Sequence, residues 1–258
     1  MDDTTVMDRE SNRDKWFFCK NPRPQAAVRL FCFPFGGGGA SIFHNWSDAM
    51  GEHIEVRALQ LPGRETRFRE PRETDFNNLI KDIVTALNAY QDKPFAMFGY
   101  SLGSLLAFEV CRELRRQNMK TPLHLFIAAL SAPQLPPPHP PISSLQDQEF
   151  VQKVEYYYQP QGEAWNNLEL RNLLLPVLKD DIALYESYVY REEPPLMCPI
   201  DVFAGDRDRA TPVESTQYWS HQTSNRMEHH VFDGGHFFID NAVREIQSLV
   251  SNSLIQEL

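Results

Sequence analysis

The stretch FGYSLGS, residues 98–104, constrains this chain more than any other. It places one serine between two glycines, directly after the apolar run FAMFG and directly before LGSLLAFEVCRELRRQ, which reads as a helix. A Gly-x-Ser-x-Gly between a buried strand and a helix is a nucleophile elbow, in which a tight turn lifts the serine into an exposed, strained position. Gly99 and Gly103 leave the room that this turn needs. The helix beginning after Ser101 also aims backbone N–H groups and the positive end of its dipole at the place where an oxyanion forms. Five residues with three fixed positions are moderately specific; the strand before and the helix after distinguish Ser101 from an ordinary loop serine.

The order of elements along the chain agrees. AVRLFCFPF (27–35) and IEVRALQL (54–61) are short runs rich in β-branched and aromatic residues, each closed by Gly or Pro, and read as strands. Phe76, Leu79, Ile80, Ile83, Val84 and Leu87 fall at helical spacing behind Thr74 or Asp75 as N-cap. FAMFG, LHLFIAAL, IDVFAG and HHVFDG read as further strands and NAVREIQSLVSNSLI as a closing helix. Strands alternating with helices imply an α/β fold with a mostly parallel sheet covered on both faces. One segment, 131–199, lacks a clear strand. It runs from APQLPPPHPPISS through helical pieces to EEPPLMCP, which suggests a helical lid inserted at about 133–199; the alternative is further helices fixed on the sheet.

Composition removes several classes of function. With 258 residues, 42% of them hydrophobic and 12% aromatic, the chain has enough apolar material for a sizeable core. Its first 16 residues are charged and lack the apolar centre of a secretory signal, and no run is long enough for a membrane helix. A cytoplasmic protein with no membrane partner is expected, with residues 1–20 a disordered N-terminal segment and 21–258 one domain. Cys19, Cys32, Cys111 and Cys198 show no CxxC or Cys/His clustering, so neither a disulfide framework nor a metal site is expected. A net charge of −10 argues against nucleic acid as a partner.

A serine hydroxyl needs a base, and the base an acid, in the chain order Ser, Asp, His of α/β-hydrolases. FAGDRDRATP offers Asp208, favoured, and Asp206, which directly follows the strand-ending glycine and suits a hydrogen bond to the turn backbone. FDGGHFF offers His236 in a glycine-flanked loop. His229 and His230 lie in a strand and read as structural, His44 belongs to a helix start, and His53, His124, His139 and His221 have no supporting context. The loop FPFGGGGAS follows the first strand, where it can supply an oxyanion-hole N–H from Phe35 or Gly36 opposite that of Leu102. A nucleotide-phosphate loop is set aside, because neither GxGxxG with a later acidic residue nor a Walker lysine is present.

Taken in order, FCFPFGGGGASIFHNW, LQLPGRETRFREP, DKPFAMFGYSLGSLLAFE, LPVLKDDIALYESYVY and GGHFFI resemble the type II thioesterases. These are the stand-alone editing enzymes of polyketide and non-ribosomal peptide synthesis. The chain is also similar to the medium-chain thioesterases of fatty acid synthase. The resemblance implies an α/β-hydrolase fold with a flexible helical lid, Ser101 as nucleophile, Asp208 as acid, His236 as base and backbone donors at Leu102 and near Phe35. It implies an enzyme without cofactor or metal, acting on acyl or aminoacyl thioesters held on the phosphopantetheine arm of an acyl or peptidyl carrier protein, and a monomer is expected. Tyr100 stands where histidine is common in the family, and Leu102 where methionine is common. Carrier domains are acidic, so a local basic patch is expected, with RELRRQ (112–117) and GRETRFR (63–69) as candidates against ordinary solvated charge. The competing functions are a carboxylester hydrolase on the same fold and a hydrolase-like binding protein without catalysis.

Overall fold

A computed structural model describes residues 15–258. Among them, strands β1 (Phe17–Phe18), β2 (Val28–Phe33), β3 (Ile54–Leu59), β4 (Phe95–Tyr100), β5 (Leu125–Ala128), β6 (Ile200–Gly205) and β7 (Met227–Phe232) form one sheet. Their order is β1-β3-β2-β4-β5-β6-β7, parallel throughout except for β1 against β3. Parallel neighbours need long crossovers, and helices supply them. They are α1 (Trp46–Ala49), α2 (Phe76–Leu87), α3 (Leu102–Arg116), α4 (Asp147–Tyr157), α5 (Glu163–Asn166), α6 (Leu168–Ser187), α7 (Val213–Thr216) and α8 (Ile239–Gln256).

The pleat divides the core into two layers. In β2, Val28, Leu30 and Cys32 face one side and Phe31 and Phe33 the other; in β4, Ala96, Phe98 and Tyr100 alternate with Phe95 and Met97. Helices α2 and α3 cover the layer of Phe31 and Met97, whereas α8 covers that of Leu30 and Phe98 through Ile246, Val250 and Leu254. The buried face of α2 comprises Phe76, Leu79, Ile80, Ile83, Val84 and Leu87, the residues its spacing selects, and Asp75 caps it by accepting the Asn78 N–H at 2.8 Å.

Disorder expected over residues 1–20 falls, up to residue 14, outside the described residues. From Lys15 onward the expectation is corrected. Phe17 is fully buried edge-on against Phe31 at 4.8 Å, the Arg67 guanidinium lies 4.2 Å over the Trp16 ring, and Lys15 pairs with Glu70 at 3.0 Å. Two large aromatic side chains removed from water outweigh the charge around them.

Between β5 and β6 the chain forms α4, α5 and α6 and no strand, apart from an isolated bridge of Leu196 with Thr223. This insertion has its own small core of Ile142, Phe150, Val154, Leu175 and Ile182. Lys179 ties α6 to Asp147 at 2.6 Å, and Glu186 accepts the N–H of Ile142 at 2.5 Å. Five of the six arginines in the two basic runs considered as docking patches are engaged internally. Arg112, Arg115 and Arg116 converge on Glu193 at 3.0, 2.7 and 2.5 Å and fasten the end of the insertion, while Arg67 pairs with Glu70 at 2.8 Å and the buried Arg64 pairs with Asp181. Cys32, Cys111 and Cys198 are buried thiols, and burial pushes the Cys198 thiol up to about 12. Among the described residues no helix is long and apolar enough to cross a membrane.

Candidate active site

Between the last residue of β4 and the first of α3 stands Ser101, with φ 53° and ψ −118°. A non-glycine residue pays strain at positive φ, and the neighbours show what maintains it. A Cβ on Gly99 would stand 2.4 Å from the Ser104 Cα, and one on Gly103 would stand 2.1 Å from the Phe33 carbonyl oxygen. Main chain meets main chain there, so the turn closes only with glycine at both positions. The Ser101 N–H donates to the Ala128 carbonyl at 2.8 Å, which pins the turn to β5.

The loops after β6 and β7 bring two further side chains to Ser101. His236 Nδ1 lies 2.8 Å from Asp208 Oδ2, and His236 Nε2 lies 3.0 Å from Ser101 Oγ. An ionised carboxylate only accepts, so Nδ1 carries the imidazole proton, Nε2 presents its lone pair, and the Ser101 hydroxyl donates to it. Both His236 and Asp208 are buried. Asp208 Oδ1 accepts the N–H groups of Ala210 and Thr211 at 2.9 and 3.0 Å, which holds the carboxylate in place. Asp206 is turned elsewhere: it is exposed and accepts the Gly234 N–H at 2.9 Å. Of the two candidate acids, Asp208 is the one that meets His236.

Opposite the elbow lies the four-glycine loop. Phe35 and Gly36 line the same cavity as Ser101 and Leu102, and Leu102, as the first residue of α3, carries an N–H with no intrahelical acceptor. The Gly37 N–H is directed differently, to Asp181 Oδ2 at 2.6 Å. The cavity encloses about 310 Å³ between the sheet loops and the insertion, and Val154, Leu174, Leu178, Ile182 and Trp165 form much of its apolar wall. The apolar residues of the insertion divide by position. Leu174 and Leu178, four apart on α6, face the cavity; Leu173, one position away, is 64% exposed; Phe150 serves the insertion's own core.

Three further residues also reach this site. The Tyr100 hydroxyl donates to the His236 carbonyl oxygen, and burial pushes the phenol well above its usual range. The Tyr158 ring stands edge-on to His236 at 4.9 Å, with its phenol also raised by burial. His139 Nδ1 donates to the Pro140 carbonyl at 2.9 Å, so its Nε2 accepts from the Tyr158 hydroxyl at 3.1 Å. The clue to Tyr158 was the YYY run ending α4; His139, inside a proline tract, had none. His124 and His229 are structural: His124 contacts Asp201 at 3.0 Å at the opposite end of the strands, and His229 contacts the Thr216 hydroxyl at 2.7 Å.

A serine hydroxyl, an imidazole and a carboxylate joined by hydrogen bonds, bordering one apolar cavity with the four-glycine loop and the start of α3, can attack and hydrolyse an acyl group. Comparison with known proteins points the same way. The gramicidin S biosynthesis protein GrsT of Aneurinibacillus migulanus is 33% identical over 244 residues, covering 95% of each chain. Thioesterase PikA5 of Streptomyces venezuelae is 32% identical, covering 97% of this chain and 90% of that protein. Among solved structures, the type II thioesterase BorB from the borrelidin biosynthetic cluster superposes with a TM-score of 0.82 at 28% identity, over 93% of this chain and 96% of that one. The thioesterase domain family matches residues 28–254, the span from β2 through most of α8, and the chain therefore belongs to the thioesterase family.

Proposed function

We propose that this chain is a type II thioesterase that hydrolyses acyl or aminoacyl thioesters from the phosphopantetheine arm of a carrier protein, editing or releasing chains during polyketide or non-ribosomal peptide synthesis. Hydrolysis of thioesters follows from the family; the observation that supports the residue roles is the hydrogen-bonded run from Ser101 through His236 to Asp208. Ser101 Oγ attacks the thioester carbonyl carbon as His236 Nε2 takes its proton, and Asp208 stabilises the imidazolium and fixes its tautomer. The N–H groups of Leu102 and of Phe35 or Gly36 receive the oxyanion. The C–S bond then breaks, and His236 returns the proton to the leaving pantetheine sulfur. Water, deprotonated by the same imidazole, attacks the acyl-enzyme; the acid leaves and Ser101 recovers its proton. The enzyme supplies no cofactor or metal, since the pantetheine belongs to the carrier. The insertion acts as a lid over the acyl cavity, and the protein works as a cytoplasmic monomer.

The test is a panel of acyl and aminoacyl groups on holo carrier protein beside matched oxyesters. Thioester turnover that exceeds oxyester turnover and disappears in Ser101→Ala supports the reading. Oxyester preference, or turnover retained in Ser101→Ala, overturns it.

A further inference from the structure

Asp181 lies on α6, in the insertion, yet its contacts lie on the sheet domain. Its side chain is 2% exposed and accepts three hydrogen bonds: from Arg64 Nη1 at 2.6 Å, from Arg64 Nη2 at 2.8 Å and from the Gly37 main-chain N–H at 2.6 Å. Arg64 Nη1 also donates to the Gly38 carbonyl at 3.2 Å. An ion pair serving only to hold the insertion down would need no bond to the loop. Here both partners grip it, at consecutive residues.

Further support of that loop comes from the other side. Gln60 accepts the Ala40 N–H at 3.0 Å and donates to the Arg64 carbonyl at 3.0 Å, and Glu65 accepts from the Ser41 hydroxyl at 2.5 Å. Gly37 has φ 80° and, lacking a side chain, no means of packing itself into one orientation. The Gly38 N–H also donates to the Phe35 carbonyl at 2.9 Å, closing a turn with Gly36 and Gly37 at its centre, and both Phe35 and Gly36 line the Ser101 cavity. Fixing the Gly37 N–H therefore restrains the turn to which both candidate donors belong.

We propose that Asp181 is a positioning residue of the reaction: carried on α6 and neutralised by Arg64, it orients the four-glycine loop so that the Phe35 or Gly36 N–H meets the oxyanion. Loop and insertion then form one unit, and the oxyanion site is complete only while α6 is seated. This inference rests on the serine-hydrolase reading given above.

Asp181→Ala separates a positioning role from a structural one when three quantities are compared with wild type. These are kcat and KM on acyl-carrier substrate, the affinity for an alkylboronic acid, and the binding of acyl-carrier in a Ser101→Ala background. The boronic acid accepts the Ser101 oxygen, whose proton passes to His236, and places an anionic tetrahedral centre at the oxyanion site. Misplacing one donor predicts a loss in kcat of about 10²-fold, a parallel loss in boronate affinity, and KM and ground-state binding within about threefold of wild type. Asp181→Asn, which keeps an acceptor for the Gly37 N–H, recovers a large part of kcat and carries the same comparison if the alanine variant does not fold. A kcat within twofold of wild type, or equal losses in boronate and ground-state binding, overturns the proposal while leaving the hydrolase reading intact. Wild-type protein that neither hydrolyses the thioester nor is labelled at Ser101 by a fluorophosphonate overturns both.

Discussion

The Tyr100 hydroxyl donates its hydrogen bond to the main-chain carbonyl of His236, joining the residue before the nucleophile to the residue that faces it. The ring is fully buried between Phe35, Phe237 and Phe238, so no water can replace the bond. This position does more than fill space.

Tyr100→Phe should keep the packing and leave the His236 carbonyl unpaired, at a cost of about 1–3 kcal/mol in stability. The freed loop lets the imidazole wander, and kcat should fall by about tenfold or more with little change in KM. Thermal unfolding together with steady-state kinetics checks both effects; unchanged kcat would mean that Asp208 alone holds the ring.

Asp208→Asn removes the carboxylate beside Nδ1, and kcat should fall by about 10³–10⁴-fold through loss of the working tautomer. Asp206→Asn alters an exposed residue that braces Gly234, and its effect should appear mainly in the melting temperature. Kinetics of the two variants, measured side by side, decide between them, and the reverse order would move the acid role to Asp206.

Leu174 lines the acyl cavity from α6. Leu174→Trp should shorten the preferred acyl chain, each methylene excluded being worth about 1–3 kcal/mol in kcat/KM. A series of carrier-bound acyl groups of increasing length reads this directly, and an unchanged profile would place the chain elsewhere.

Glu193 anchors the end of the insertion to Arg112, Arg115 and Arg116. Partial burial works against its ionised form, but the hydrogen bonds from Arg116 and Arg115 and the charge of Arg112 prevail and hold its carboxyl at about 2. Because the folded value is depressed, this stabilisation is present above the ordinary carboxylate range and is lost as pH falls from about 4.5 towards 2. After allowance for solvent screening it amounts to about 1 kcal/mol. The melting temperature should therefore decline over that window in wild type and less steeply in Glu193→Gln; equal slopes would show the anchor to be inert.

What the sequence determined by itself was local. The elbow around Ser101, the buried face and Asp75 cap of α2, the chain order of strands and helices and the loops carrying Asp208 and His236 all depend on residues within a few positions of one another. Periodicity and turn chemistry act over that range. Whatever depended on distant partners was decided by the tertiary structure. Asp206 and Asp208 are two residues apart, and only the path of the loop after β7 selects the one that meets His236. Arg64, Arg112, Arg115 and Arg116 looked like surface charge because Asp181 and Glu193, which pair with them, stand 77 or more residues away. Trp16 and Phe17 sat beside a charged segment whose sequence gave no sign of the sheet edge awaiting them. The bond from Gly37 to Asp181 spans 144 residues, and a carboxylate selects its donors by proximity in the fold, which no spacing along the chain encodes.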